Sequence, residues 1–376
     1  MPIKIVHTAD NHIGMRFSHI PNIEAREKMV AERILALKRI VDFANINKAD
    51  FLVVAGDLFD KLKTPSDDLK KTATILNNFV GEAVVIIPGN HDYFSASGDE
   101  LWSNFSKHIN EEKVFVLTDY RPKSFAVNDS EITFFPAGCR SPHSSENLIG
   151  WVKEYPKNTR ALNIGIAHGN VEGLGLDDVH KYFNMTPAEL KSSGLDFWLL
   201  GHIHVPFPTQ SVASNPGYFF SATHTPDGFS KKHSGFFWLI EVDEKKNLQA
   251  ILQNSDSFRF ITLEKNLHSM EDFESLKSEI DCFNAPKTAL KLVLNGRLEK
   301  EQIPECENHL EKISSAFLFF SKENNLTEKI DKKYIDAMYP NDSIPHHLLT
   351  ELLKEEDEGL SLQICSELME KIKNAS

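Results

Sequence analysis

The 376-residue chain is 41% apolar, long enough for a large core and more than one domain, and its net charge of −13 argues against gathering polynucleotides by bulk attraction. The acidity is uneven: residues 1–240 hold 24 Lys and Arg against 27 Asp and Glu, a net −3, and residues 241–376 hold 17 against 27, a net −10. No apolar run approaches membrane-spanning length, a strand stands where a secretion signal would, and the four cysteines form no C-x-x-C pair, so a cytoplasmic protein without disulfide framework or zinc ribbon is expected.

The first strand is expected at Lys4-Ile-Val6, followed by an amphipathic helix over Glu24–Ala44 with Val30, Ile34, Leu37 and Val41 on one stripe. Strands follow at Phe51-Leu-Val-Val54 and Ala83-Val-Val-Ile-Ile87, with helices over Asp67–Val80 and Glu100–Ile109. Their apolar positions Leu69, Ala73, Leu76, Val80, Leu101, Trp102 and Phe105 either cover the sheet or form an intersubunit bundle. From Val114 to Val242 strands and turns dominate, among them Ala161-Leu-Asn-Ile-Gly-Ile166, Phe197-Trp-Leu-Leu200 and a last strand at Phe236-Phe-Trp-Leu-Ile240. Pro136-Ala-Gly138, Asn215-Pro-Gly217 and Pro226-Asp-Gly228 mark turns.

A different segment follows: a helix over Asp272–Ile280, a strand at Ala289–Leu294, a helix over Ile303–Ser315 and a strand at Phe317–Phe320, the pattern of a small α+β unit. From about residue 331 the chain is helical and acidic, with Leu348, Leu349, Leu352, Leu353 and then Ile364, Leu368 and Ile372 at helical spacings, and Glu351, Glu355, Glu356, Asp357 and Glu358 around them. The expected division is 1–258, 259–330 and 331–376.

Five short motifs carry the chemistry: Asp10-x-His12, Gly56-Asp57, Gly89-Asn90-His91-Asp92, His168-Gly169 and Gly201-His202-x-His204, each behind one of the buried strands. Carboxyl ends of strands in an open α/β sheet face one crevice, so residues far apart in sequence meet there. Taken singly these are ordinary turn dipeptides or core histidines; their joint occurrence in this order points to a dinuclear metal site. Asp57 can bridge two cations, with Asp10, His12 and His204 completing one sphere and Asn90, His168 and His202 the other. Such a pair activates water and neutralises phosphate during in-line displacement. His91, beside a ligand, is placed to protonate the leaving oxygen or stabilise the transition state. Carboxylate, amide and imidazole ligands without thiolate favour Mn, Fe or Zn.

The series His7-Thr-Ala-Asp10-Asn-His12-Ile-Gly14, Gly56-Asp57-Leu-Phe59, Gly89-Asn90-His91-Asp92, His168-Gly169 and Gly201-His202-Ile-His204 resembles the calcineurin-like metallophosphoesterases. With Thr64-Pro65 after Gly-Asp-Leu-Phe, it is similar to their DNA-repair nuclease branch, the SbcD and Mre-type nuclease subunits. The superfamily motifs cover residues 1–240. Beyond them the resemblance rests on a small capping domain and on Tyr339-Pro-x-x-Ser343 before Leu348-Leu-Thr-Glu-Leu352.

The resemblance implies a two-sheet α/β sandwich with outer helices, a small α+β capping domain and C-terminal helices. It also implies metal-dependent exonuclease and single-strand endonuclease activity on DNA, for which Mn is the first choice of ion and Fe or Zn the alternatives, a homodimer, and an SMC-type, SbcC-like ATPase partner. Its ligand assignment matches the one read from the residues, with His91 beside the phosphate. Asp60 stands where some members carry a histidine, which leaves the exonuclease and endonuclease balance open. Arg16, Lys61, Lys63, Arg140, Lys231 and Lys232 are candidate phosphate contacts, each with solvated loop charge as its alternative. Cyclic-nucleotide or other small-ester hydrolysis and a non-enzymatic scaffold are the competing functions, and the acidic C-terminal helices are expected to dock a protein rather than DNA.

Overall fold

The computed structural model describes residues 2–95, 98, 100–174, 182–230, 233–354 and 360–375, in two compact units. The first runs to Ile261 and takes in Lys287–Ala289; the second comprises Thr262–Pro286 and the chain from Leu290. Lys231, Lys232, Glu355, Glu356, Asp357 and Glu358 lie outside the described residues.

In the first unit β1 (Ile3–Thr8), α1 (Ile23–Ile46), β2 (Phe51–Ala55), α2 (Ser66–Asn77), β3 (Ala83–Ile87), α3 (Glu100–Ser106) and β4 (Val114–Val116) alternate, and the four strands run parallel. They are followed by β5 (Lys123–Val127), β6 (Ser130–Ala137), α4 (Gly150–Glu154), β7 (Leu162–His168), α5 (Pro187–Ser192) and β8 (Phe197–Gly201). The unit continues with β9 (Pro206–Phe207), β10 (Val212–Ser214), β11 (Tyr218–Ser221), β12 (Phe236–Val242) and β13 (Leu248–Asn254). Among the described residues one sheet has the order β10-β13-β12-β1-β2-β3-β4 and the other β5-β6-β7-β8-β11-β9.

Alternation along the strands builds three apolar layers. Phe51, Val53 and Ala55 of β2 meet Ile132 and Phe134 of β6 and Ile164 and Ile166 of β7 between the sheets. Leu52 and Val54 point the other way, onto the layer formed by Leu37, Ile40 and Val41 of α1 and Leu69, Ala73 and Leu76 of α2. Trp198 and Leu200 of β8 likewise face Val152 of α4 and Leu190 of α5. Strands buried on both faces become continuous apolar runs, which is why they were visible in the sequence. The expected two-sheet α/β sandwich with outer helices is present.

Leu69, Ala73, Leu76, Leu101, Trp102 and Phe105 are all buried in the helix-covered layer. They are thus spent on the protomer's own core and do not form the intersubunit surface that was their other possible role; Val80 alone of that set is exposed. Helix α1 buries Leu37 and Val41 of the expected stripe and packs Ile34 against the same layer, but its inward face is centred differently and wider than expected. Its buried residues are Ala25, Met29, Arg33, Ala36, Leu37, Ile40, Val41 and Ala44, with Val30 and Ile34 at the margin.

The second unit takes in β14 (Arg259–Leu267) from Thr262, α6 (Met270–Asp281), β15 (Thr288–Leu298) from Leu290, α7 (Gln302–Ser314) and β16 (Phe319–Glu328), and the three strands have the sheet order β14-β15-β16. Ser269 and Asp272 form a capping box that fixes the start of α6. Helices α8 (Lys332–Met338), α9 (Ile344–Leu352) and α10 (Leu360–Ala375) gather Ile335, Leu349 and Leu362 into a small cluster. No described helix is long and apolar enough to cross a membrane.

Candidate metal centre

All five motifs fall at the carboxyl ends of strands. Asp10 follows β1, Asp57 follows β2, Asn90 follows β3, His168 ends β7, and His202 follows β8, with His168 in register with Gly201. The loops share a backbone ladder: Asp10 N–H donates to Gly56 O (3.1 Å), His12 N–H to Asp57 O (2.9 Å) and Ile13 N–H to Leu58 O (2.9 Å). Asp10, His12, Asp57 and His202 all have positive φ (52°, 44°, 53° and 101°). Non-glycine residues held there carry backbone strain of about 1–3 kcal/mol each, which surrounding structure must sustain.

The side chains interlock across the crevice. His12 Nε2 lies 3.3 Å from His204 Nε2 and 3.7 Å from Asp57 Oδ2, and His204 Nε2 lies 3.7 Å from Asp10 Oδ1. On the other side His168 Nε2 is 3.3 Å from Asp57 Oδ2, and the Asn90 amide oxygen is 3.1 Å from both His168 Nε2 and His202 Nδ1. His168 Nδ1–H donates to Ala55 O at 2.9 Å, which turns Nε2 toward the carboxylates. Asp10 accepts His202 N–H on both oxygens (2.9 and 3.0 Å), and Asp57 Oδ1 accepts His91 N–H (2.8 Å).

This donor set fits divalent cations. Its nitrogen and oxygen atoms face one another at 3.1–4.0 Å, the span of ligands that share an ion at about 2.0–2.2 Å. Asp10, His12 and His204 form one such group and Asp10, Asp57 and His168 another. A third group, His12, Asp60 and His91, lies toward the rim, with His12 Nδ1 3.9 Å from Asp60 Oδ1. Electrostatics agree: burial pushes Asp10 up to about 6, partly opposed by His204 and His168. Burial alone would raise Asp57 too, but the imidazoles of His168, His12 and His91 hold it well below the carboxylate range. Burial would lower His168, yet Asp57 and Asp10 outweigh it and raise this imidazole to about 9. Burial brings His202 down to about 3. Cations binding here would displace the shared protons.

His91 lies at the rim, exposed, its ring 4.7 Å from that of His12 and its Nδ1–H donating to Asp60 O at 3.0 Å. The candidate phosphate contacts are more dispersed. Arg16 pairs with Asp68 (3.4 Å), Lys61 with Asp60 (3.7 Å), and Arg140 lies over Tyr120 (4.1 Å), while Lys63 is exposed.

Three further residues support the centre: Asp92, the last residue of the Gly89-Asn90-His91-Asp92 motif, to which the sequence assigned no role, and Arg33 and Asp227, which lie outside all five motifs. Asp92 is fully buried and accepts Gly89 N–H (2.6 Å) and Phe59 N–H (3.0 Å), so it shapes the loop that carries Asn90 and His91. Burial and the neighbouring Asp57 raise its carboxyl to about 7. Arg33 and Asp227 reach His204: Arg33 Nη2 donates to Asp227 Oδ1 (2.7 Å), and Asp227 Oδ2 lies 2.5 Å from His204 Nδ1. Asp227 stands in a stretch legible from sequence only as a turn.

The model of the calcineurin-like phosphoesterase family matches residues 3–206, which span the five motifs. The chain belongs to this family. A calcineurin-like phosphoesterase is a metal-dependent hydrolase of phosphoesters. The chain is 28% identical over 291 residues to the uncharacterized metallophosphoesterase YhaO of Bacillus subtilis, a match covering 67% of this chain and 66% of that protein. It is 24% identical over 385 residues to the D component of the nuclease SbcCD from Staphylococcus saprophyticus, covering 94% and 96%. Among solved structures a dimetal phosphatase from Danio rerio is 13% identical with a TM-score of 0.40, covering 67% of this chain and 99% of that one.

Proposed function

We propose that this calcineurin-like phosphoesterase is a DNA nuclease of double-strand-break repair, exonucleolytic on ends and endonucleolytic on single strands, working with two Mn ions. The observation that carries the catalytic part is the convergence of Asp10, His12, Asp57, Asn90, His168, His202 and His204 at one sheet edge. The substrate part rests on likeness along 94% of the chain to a protein named as part of a nuclease. Asp57 would be shared by the two ions, with Asp10, His12 and His204 holding one and Asn90, His168 and His202 the other. When bound, the metals supply Lewis-acid charge to the phosphate and lower the pKa of water.

The chain's own residues orient and move protons. Ala55 O fixes the His168 tautomer, and Asp10 and Asp57 hold the backbones of His202 and His91. His91, anchored through Nδ1 to Asp60 O, keeps Nε2 for proton exchange with the leaving oxygen. A non-catalytic scaffold has no need of a buried donor set this complete. The reading includes an SbcC-like ATPase partner, a homodimer whose contacts lie outside the buried faces of α2 and α3, and residues from about 259 onward as a capping and docking region.

Small phosphodiesters are a second reading, favoured by the net charge of −13 and by the carboxylates already paired to Arg16 and Lys61. Hydrolysis of single-stranded DNA, double-stranded ends, cyclic nucleotides and bis(p-nitrophenyl) phosphate should be compared with Mn, Fe and Zn. DNA cleavage at the highest kcat/KM supports the nuclease. Cyclic-nucleotide hydrolysis with intact DNA transfers the function to small esters, and inactivity on every substrate overturns both.

A further inference from the structure

Arg33 lies in the inward face of α1 and is only 1% exposed, between apolar neighbours such as Met29 and Leu37. A guanidinium removed from water is tolerated only with full pairing. Its Nε–H donates to Thr225 Oγ1 (2.8 Å), and Nη2–H donates to Thr225 O (3.0 Å) and to Asp227 Oδ1 (2.7 Å). Nη1 sits against Met15 Sδ, and the guanidinium carbon is 5.4 Å from the centre of the Phe17 ring. One buried cation therefore ties α1 to the segment just after His12 and to the loop between β11 and β12. The planar fork of an arginine suits this work, since a lysine cannot point several donors in fixed directions.

Asp227 divides its two oxygens. Oδ1 receives Arg33, and Oδ2 faces His204 Nδ1 at 2.5 Å. A carboxylate at Nδ1 holds the proton on that nitrogen and leaves the Nε2 lone pair outward. Nε2 is the atom that meets His12 Nε2 (3.3 Å) and Asp10 Oδ1 (3.7 Å), the other two members of the first candidate ligand group.

We propose that Asp227, fixed by Arg33, is a positioning residue for the first metal: it sets the tautomer and orientation of His204, so affinity at one of the two metal positions depends on residues outside the ligand set. The inference rests on the reading of His204 as a metal ligand. It predicts an asymmetry, because the described contacts of Asp227 and Arg33 reach His204 and not Asn90, His168 or His202.

The test is calorimetric titration of Mn into the metal-free full chain, comparing the unsubstituted protein with His204→Ala, Asp227→Ala, Asp227→Asn and Arg33→Lys. His204→Ala should lose one of two binding steps. Asp227→Ala should weaken that same step by about 10–100-fold and leave the other unchanged, with Asp227→Asn, which keeps an acceptor oxygen, less affected. Two wild-type steps in folded Asp227→Ala overturn the positioning role. Two wild-type steps in His204→Ala overturn the ligand reading instead. Imidazole 15N shifts of His204 in the metal-free wild type decide the matter even if the Asp227 variants do not fold. The Nδ1–H tautomer supports the proposal and the Nε2–H tautomer overturns it.

Discussion

Gly56 lies so close to His168 that a Cβ at position 56 would stand 2.2 Å from the imidazole Nδ1, on a residue whose φ is +90°. That nitrogen donates to Ala55 O, so the contact helps aim His168 Nε2 at Asp57. Gly56→Ala is expected to strain the backbone and displace the ring, lowering stability by about 1–3 kcal/mol and weakening the metal position that uses His168. Urea unfolding and Mn titration measure the two effects. An unchanged midpoint together with two intact binding steps would contradict the packing argument.

The bridging role proposed for Asp57 and the proton-transfer role proposed for His91 can be tested separately. Asp57 is fully buried and faces His12 and His168, whereas His91 is at the solvent rim. Asp57→Ala should lower metal content by about two ions per protomer and abolish hydrolysis. His91→Ala should retain both ions and lose about 10²–10⁴-fold in turnover. Elemental analysis beside steady-state kinetics distinguishes them, and a full metal complement in the Asp57 variant would remove the bridge.

The centre was legible because each motif follows a strand buried on both faces, whose apolar run fixes where the crevice begins. Asp10 and His204 could be joined across the chain by that logic alone. Arg33 and Asp227 could not: one looks like the polar side of an amphipathic helix and the other like a Pro-Asp-Gly turn, and their pairing spans 194 residues. The apolar stripe assigned to α1 captured Leu37 and Val41 but not the Met29 and Arg33 side of the buried face, since a charged residue stands there. In the second unit β14 went unseen and β16 extends to Glu328, well past the four residues expected. Their residues alternate between half-buried and exposed, and such strands lack the continuous apolar run that marks a buried one. The apolar residues of α2 and α3 look the same in sequence whether they cover a sheet or a partner, and only packing decides.

His224 gives the first unit an acid sensitivity of stated sign. It is fully buried, donates from Nε2 to Arg33 O at 2.7 Å, and is lowered to about 3 by burial and then by the Arg33 charge. Its unfolded value is about 6.5, so the unfolded chain takes up the proton first. The stability it contributes is complete above about pH 6.5 and is lost as pH falls toward 3, at up to about 1.4 kcal/mol per pH unit. His224→Gln should therefore show a shallower fall in urea midpoint between pH 7 and 5 than the unsubstituted protein. Parallel profiles would mean that other groups set the acid limit.

The C-terminal helices offer the clearest place to test the proposed ATPase partner. On α10, Ile364 is 50% exposed and Leu368 53%, one turn apart on the same face, while Leu362 is buried in the small cluster with Ile335 and Leu349. Apolar side chains one helical turn apart form a stripe of the kind that seats in an apolar groove. The −10 net charge of residues 241–376 would repel phosphate and suit a basic-rimmed groove instead. Ile364→Glu with Leu368→Glu should leave folding and Mn-dependent hydrolysis of bis(p-nitrophenyl) phosphate unchanged, because both residues are surface positions of the second unit. Binding to a coiled-coil segment of the cognate SbcC-like ATPase, followed by biolayer interferometry, should weaken by at least about tenfold for the loss of two buried apolar contacts. Equal affinity in the doubly substituted protein would show that the stripe is not the docking surface.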